Sequence, residues 1–248
     1  MATRVNQALV SALSGQPAAF DARGSELLTN VDTVAPAIAA VIRPGITLAQ
    51  QFRVGRALHR AGLDAEILDA LVDPDPVVRR AAARLCGALR LSEAVAWLSD
   101  LLQDSDANVR VAAARALGRT GGRRAVEALM GAAERFSAHE LAINLAHAAS
   151  DIDLDGLLRA EGGGTAAVAV ALACGLRADT LRFPRLVALA RDPRAEPAVR
   201  AAACRALGMI GDRAAAGVLR NLTYDSNQLV SVAATRGLRR YHPGLPRT

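Results

Sequence analysis

The chain has 248 residues, of which 52% are hydrophobic and 22% are charged, so it carries enough apolar side chains for a folded core and is not an intrinsically disordered polypeptide. Only 3% of the residues are aromatic. All 30 basic residues are arginine, and the net charge of +6 fits either an anionic partner or a coding sequence that prefers arginine codons.

The cysteine pattern indicates a reducing compartment. The three cysteines form an odd number and have no CxxC spacing, which argues against a disulfide framework.

Polar residues interrupt the N-terminal region where a signal peptide would need a continuous apolar run, and we find no apolar run long enough to span a bilayer. We therefore expect a soluble, cytoplasmic protein that does not bind membranes.

The first 45 residues form a segment of their own. They contain several turn signals, and they do not share the pattern of the rest of the chain. Short helices are predicted around Val5–Leu13 and Val31–Ile42. We expect residues 1–45 to form an N-terminal helical cap, because a terminal repeat has one face without a neighbour.

An internal repeat organises the remainder of the chain. The segment Asp73–Gly87 aligns without a gap with Asp104–Gly118, which lies 31 residues later. A third copy is Pro197–Gly208, and a weaker fourth copy is Leu229–Leu238. A period of this length predicts a stack of small supersecondary units.

Each repeat is predicted to form two helices. An Asp or Asn in the turn caps the first helix, and a proline suits the first helical turn, where the missing N–H is not needed. The first helix then carries an apolar stripe at helical spacing, as at Val109, Ala112, Ala113, Ala116 and Leu117. Two helices of about a dozen residues cannot enclose a core alone, so each pair must pack against its neighbours.

These residues resemble the HEAT-like repeats described in phycobilisome lyases. The resemblance is close at Asp73–Leu102, Asp104–Ala133 and Ala195–Asn221, which show an Asp-rich turn, then Val-Arg, Ala-Ala and Arg-Ala-Leu-Gly. Weaker units are predicted at Leu48–Val72, Leu141–Leu158 and Thr165–Ala190. The resemblance implies an all-α solenoid of about six helical pairs over residues 46–241, with a final helix near Gln228–Arg240 and a flexible tail at 242–248.

One adjacent His-Glu pair raises the question of a metal site. His139 and Glu140 are adjacent, and the HEAT-repeat deoxyhypusine hydroxylases use His-Glu pairs on repeated helices to hold two irons. That site needs several converging pairs, whereas His59, His147 and His242 have no adjacent Glu. We therefore expect neither a metal nor a cofactor.

Nucleophilic chemistry has no better support. Cys86 and Cys174 occupy the repeat position of Leu117, and Cys204 matches Ala114, so we expect all three to fill the core. No Ser-His-Asp or Cys-His arrangement and no phosphate-binding glycine loop can be argued. A bilin lyase activity, which the name of the repeat suggests, ranks last because no residue set would form the thioether. The sequence predicts a protein that is not an enzyme.

Two sets of arginines recur with the repeat. The first set is Arg79, Arg110 and Arg200, and the second is Arg84, Arg115, Arg205 and Arg236. They form either a basic ladder along a phosphate backbone or, for the first set, a structural ladder with turn acids such as Asp75 and Asp106. We favour the structural interpretation.

The predicted function is a non-catalytic scaffold or adaptor that binds a partner protein or peptide. In HEAT-type solenoids the second helices usually line the concave face, and we predict that partner-binding residues lie there. Trp97 stands where other copies have Ala128 or Val218, so it either fills a gap or projects as an anchor. The predicted set is Trp97, Arg123, Glu127, Arg182, Arg185 and Arg220.

Nucleic-acid binding is the alternative. It would use a basic concave groove that contacts the phosphate backbone, as in the HEAT-like DNA glycosylases. Such proteins also stack aromatic side chains on bases or sugars, and this chain has one Trp and two Tyr. The shortage of aromatic residues favours the protein-binding interpretation.

Overall fold

The computed structural model describes residue 47 and residues 49–50, 53–56, 63–159 and 163–241. The predicted N-terminal cap and C-terminal tail lie outside these residues, as does most of the first helix of the first predicted pair. Within the described residues, all regular secondary structure is helical. The chain divides into two compact units between Ala125 and Val126.

In the first unit the described residues 49–50 and 53–56 are helical, and four further α-helices of the described part lie wholly within it. They are α1 (Leu63–Asp69), α2 (Pro76–Leu89), α3 (Val95–Asp100) and α4 (Ala107–Thr120). Short 3-10 helices at Ala70–Val72, Ser92–Ala94 and Leu101–Gln103 extend α1 and α3. The second helix that follows α2 is α3, a six-residue α-helix between two 3-10 turns. It is shorter than the length of about a dozen residues predicted for each helix.

The second unit continues the alternation of first and second helices. Its helices are α5 (Arg123–Gly131), whose first three residues belong to the first unit, α6 (Ala138–Ala148), α7 (Asp151–Arg159), α8 (Gly164–Leu176), α9 (Phe183–Arg191), α10 (Pro197–Ile210), α11 (Arg213–Leu222) and α12 (Gln228–Leu238). The first helices of the repeats are thus α2, α4, α6, α8, α10 and α12. Short 3-10 helices at Ala133–Arg135 and Thr180–Arg182 complete the set.

Turn carboxylates and amides start several first helices, as the sequence predicts. The Asp75 side chain accepts a hydrogen bond from the backbone N–H of Val77 at 2.8 Å, and Asn227 caps α12 in the same way. Proline is the first residue of both α2 and α10. These contacts satisfy N–H groups that have no partner within the helix.

First helices pack directly on first helices within each unit. In the first unit α2 packs on α4, and in the second unit α6, α8, α10 and α12 pack in succession. The glycine of the repeat makes this approach possible, since a Cβ placed on Gly175 would lie only 2.6 Å from the Cα of Ala206. The same position gives 2.6 Å between Gly87 and Ala116.

Second helices cover one side of each first helix and close the core. In the first unit, Leu71, Leu98 and Leu117 are fully buried between the two layers. In the second unit, Leu154 on α7 and Leu219 on α11 are likewise fully buried. The predicted all-α repeat of helical pairs is confirmed. No helix in the described part of the chain is long and apolar enough to cross a membrane.

Candidate binding surfaces

An arginine–aspartate ion pair links neighbouring repeats in the first unit. Arg79 on α2 donates two hydrogen bonds to the carboxylate of Asp104, from Nε at 2.8 Å and from Nη2 at 2.9 Å. Its Nη1 also donates to the carbonyl oxygens of Asp73 and Pro74 at 2.8 and 2.9 Å. The Asp104 side chain is only 5% exposed. The hydrogen bond from Arg79 holds the pKa of Asp104 below its usual value.

The second unit repeats this ion pair. Arg200 on α10 pairs with Asp225, the turn acid that precedes α12, and its Nε donates to the carbonyl oxygen of Ala190 at 3.2 Å. The bidentate geometry satisfies both partly buried charges and fixes the distance between two repeats. The first recurring set of arginines is therefore structural, as predicted.

The partners of these arginines differ from the prediction. Asp75 and Asp106 do not receive them, because each carboxylate caps its own helix instead. The acid that pairs with Arg79 belongs to the turn of the next repeat. Arg110 donates to the carbonyl oxygens of Asp104 and Ser105 at 2.8 and 3.0 Å. The ion pairs therefore run between repeats, whereas the contacts to carbonyl oxygens that Arg79 and Arg110 make lie within their own turns.

A second ion-pair cluster ties two turns of the second unit together. Arg182 contacts the carboxylate of Asp179 at 3.3 Å and that of Asp151 at 3.7 Å, and it also donates to the carbonyl oxygen of Asp151. Arg177 donates to the Asp151 carboxylate at 2.7 Å and to the Ala149 carbonyl oxygen at 2.6 Å. The Arg182 side chain is only 8% exposed, so this member of the predicted set lies inside the protein.

Two exposed aliphatic residues are sequence neighbours of residues in this cluster. Ile152 follows Asp151 and is 84% exposed, and Leu181 precedes Arg182 and is 74% exposed. Ile152 is the second residue of α7, and Leu181 is the second residue of the 3-10 helix that precedes α9. Other copies carry Glu93, Arg124 and Ala214 at this repeat position. Leu176, at the end of α8, is also exposed. We call Ile152 and Leu181 the aliphatic pair.

Trp97 projects from the second helix of the first unit. Its side chain is 40% exposed, whereas Val218 at the same repeat position is buried. The exposed residues Glu93 and Asp100 lie one helical turn before and after it. The tryptophan is thus partly packed and partly available, with carboxylates on either side.

The other predicted residues lie at the surface of their own units. Arg123 is exposed in the first unit, and Glu127, Arg185 and Arg220 are exposed in the second. Arg185 makes long hydrogen bonds of 3.4 Å to the carbonyl oxygen of Leu158. Arg220 lies near the end of α11.

The cysteines fill the core, as predicted. All three are buried and free. Burial raises the pKa of the Cys86 and Cys174 thiols to about 12 and that of Cys204 to about 11. Thiols with such pKa values carry almost no thiolate near neutral pH.

Glu140 has a structural role beside His139. The Ser137 hydroxyl donates to the Glu140 carboxylate at 2.7 Å, and the Ser137 backbone N–H donates to it at 3.2 Å, which completes a capping box at the start of α6. In the described part of the chain, no group of three or more His, Cys, Asp or Glu residues could hold a metal ion.

The aliphatic pair is the feature that sequence reasoning missed. A large aliphatic residue at an early second-helix position, where other copies carry Glu93 or Arg124, is a signal that an alignment of all copies would show. The signal is weak in these repeats because Asp151 and Thr180 do not match the Arg-Ala-Val start of the close copies.

The paired helices, the packing of first helices on first helices and the turn ion pairs define an α-solenoid of HEAT type. A family model of HEAT repeats matches residues 65–149 and 157–239, which together make up more than half of the chain. The chain belongs to the HEAT-repeat family, and the predicted resemblance is confirmed.

The chain is similar, at low identity, to several solved structures. Human deoxyhypusine hydroxylase in complex with glycerol is 18% identical, with a TM-score of 0.38, covering 97% of this chain and 95% of that chain. An engineered protein from a structural genomics consortium is 22% identical, with a TM-score of 0.36 and coverages of 87% and 95%. A designed armadillo repeat protein is 17% identical, with a TM-score of 0.36 and coverages of 87% and 98%. No protein of curated function matches the chain.

Proposed function

We propose that the chain is a non-catalytic scaffold that binds a partner protein through side chains of its second helices. Repeats of this family stack into extended surfaces that are commonly used for protein interaction. The fold alone does not fix the function, so the proposal depends on specific surfaces.

The aliphatic pair is the observation that carries the proposal. Ile152 and Leu181 expose 84% and 74% of their surface although the neighbouring repeat positions are polar or small. The Arg182–Asp151 contacts fix the two turns relative to each other, so little order is lost when a partner binds. Two exposed aliphatic side chains in turns that an ion pair joins offer an apolar surface of the kind used in protein interaction.

The size of this contact is sufficient to matter. Covering one aliphatic side chain fully contributes about 1.5–3 kcal/mol. Since the two side chains are 84% and 74% exposed, covering both contributes about 2–5 kcal/mol, which corresponds to roughly one and a half to three and a half orders of magnitude in affinity. The Asp151 carboxylate beside the pair is already balanced by Arg177 and Arg182, so the contact offered to a partner is mainly apolar.

Trp97 supplies a contact of the same kind in the first unit. It is a partly exposed aromatic residue with Glu93 and Asp100 on either side. Aromatic residues are enriched among the few positions that dominate binding energy. The neighbouring carboxylates disfavour a phosphate backbone at this place, which supports the protein-binding interpretation over the nucleic-acid alternative.

The experiment is purification of the tagged full chain from its own cells, with and without nuclease. The double variant Ile152→Asp/Leu181→Asp is purified in parallel, with Ala214→Asp as its control, because Ala214 holds the same position in another repeat. A partner protein that survives nuclease in stoichiometric amount, is retained by the control and is lost from the double variant supports the proposal. Recovery of nucleic acid alone, removed by nuclease, contradicts it.

A further inference from the structure

Four arginines lie on one side of the two first helices of the first unit. Arg80 and Arg84 belong to α2, and Arg115 and Arg119 belong to α4. Arg80 is half-buried and the other three are exposed. None of the four side chains has a hydrogen bond or ion pair with any residue that the structure describes. We call this set the arginine face.

The arginine face is separate from the ion pairs between repeats. Arg79 and Arg110 point into the turns, where Asp104 and backbone carbonyls satisfy them. Neither α2 nor α4 contains an Asp or a Glu, so no carboxylate within these helices balances the four charges. Like charges spaced i,i+4 destabilise a helix slightly, and an external anion would remove that cost.

The spacing of the four charges is regular in both directions. Along each helix the two arginines are four residues apart, which corresponds to about 6 Å of helical rise. Across the pair the helices are in close contact, since a Cβ on Gly87 would lie 2.6 Å from the Cα of Ala116. The four arginines therefore occupy two rows on two helices in direct contact.

We infer that the arginine face binds an acidic helical segment of a partner protein, with carboxylates spaced i,i+4 along the segment. A helix of that pattern presents negative charges at the same rise of about 6 Å. Val77 and Val111 lie on the same sides of α2 and α4, half-buried or exposed, and suit the apolar residues of an amphipathic segment. Neither helix carries an aromatic residue that would stack on a base.

This inference rests on one part of the proposed function, namely that the partner is a protein. The binding surface is a different one, because the arginine face does not include the aliphatic pair. The test uses the full chain and three fluorescent probes: an alanine-based helical peptide with glutamate pairs spaced four residues apart, the same peptide with glutamine, and a short DNA duplex. Binding is measured by anisotropy at about 50 and 200 mM salt. The variant is Arg84→Gln/Arg115→Gln, and its charge-matched control is Arg194→Gln/Arg213→Gln.

The glutamate peptide is expected to bind the native chain more tightly than either of the other probes. The Arg84→Gln/Arg115→Gln variant should lose about tenfold in affinity, while the control should change by less than about twofold. An equal loss in both variants, or no binding of the glutamate peptide at low salt, overturns the inference. Tighter binding of the DNA duplex that is lost in the same variant also overturns it and assigns the face to nucleic acid. The Ile152→Asp/Leu181→Asp variant should bind the peptide normally, which separates this test from that of the proposed function.

Discussion

Replacing Gly175 by alanine tests the close packing of first helices. A Cβ at this position would lie 2.6 Å from the Cα and 3.0 Å from the Cβ of Ala206. Carbon atoms in ordinary contact are about 3.5–4.0 Å apart, so α8 and α10 would have to separate by about 1 Å. The obstacle is backbone, which cannot rotate away as a long side chain would.

Two opposing effects decide the size of the change. Alanine is favoured over glycine inside a helix by about 0.8–1 kcal/mol. Separating two packed helices costs about 1–3 kcal/mol, because it also weakens the other contacts between them. We expect the packing term to win and the Gly175→Ala variant to lose up to about 2 kcal/mol of stability, with a fall in Tm of up to about 8 °C.

Gly217→Ala is the matched control. Gly217 lies inside α11 in the same unit, is exposed, and has no atom within 4 Å of the position of an added Cβ. Here only the helix preference acts, so the variant should gain about 0.5–1 kcal/mol. Urea unfolding followed by circular dichroism measures both changes. If Gly175→Ala stabilises the protein as Gly217→Ala does, the packing argument is wrong.

Three further outcomes follow from the ion pairs, the cysteines and the aliphatic pair. Asp104→Ala should cost about 1–3 kcal/mol of stability at neutral pH because it leaves Arg79 partly buried without its carboxylate. Since the folded pKa of Asp104 is lowered, this contribution is present above the unfolded pKa of about 3.9 and is lost as the pH falls through the folded pKa. Urea unfolding at a series of pH values should therefore show the difference from the native chain shrinking in acid, and a constant difference would contradict the assignment. Cys86, Cys174 and Cys204 should react with a thiol reagent at pH about 8 only after unfolding in denaturant, and rapid labelling of the native chain would show that the thiols are not buried. Ile152→Asp/Leu181→Asp should leave the free energy of unfolding within about 0.5 kcal/mol of the native value, because both side chains are exposed, and a large loss would mean that these side chains stabilise the fold.

The fold follows largely from local sequence. The Asp-rich turn before Val109 and the apolar stripe that follows it specify the start and the buried side of a helix, and the weak copies keep the same spacing at Leu141 and Leu154. Propensity does not specify how a second helix divides into segments. Tertiary packing makes the segment 92–103 a short α-helix between 3-10 turns.

The candidate site was predicted less completely, because partners in different repeats are not visible in one copy. Arg79 lies near Asp75 in sequence, but the superposed turns bring it to Asp104. The sequence around Arg182 is typical of a surface position, yet Asp151 from the preceding repeat and Asp179 surround its side chain. The Ser137-x-x-Glu140 capping box, by contrast, is a local pattern; its signal is present in the sequence, although it is not among the features predicted above.

Hydrogen–deuterium exchange on the chain with and without its co-purified partner tests the central claim most directly. The account predicts that the partner slows exchange in the segments around Ile152 and Leu181, and around Trp97 if the same partner reaches the first unit, with little change in the amides of α10. The Ile152→Asp/Leu181→Asp variant should show no protection at the first two segments. Protection confined to other parts of the chain would contradict the assignment of the second helices as the partner-binding surface.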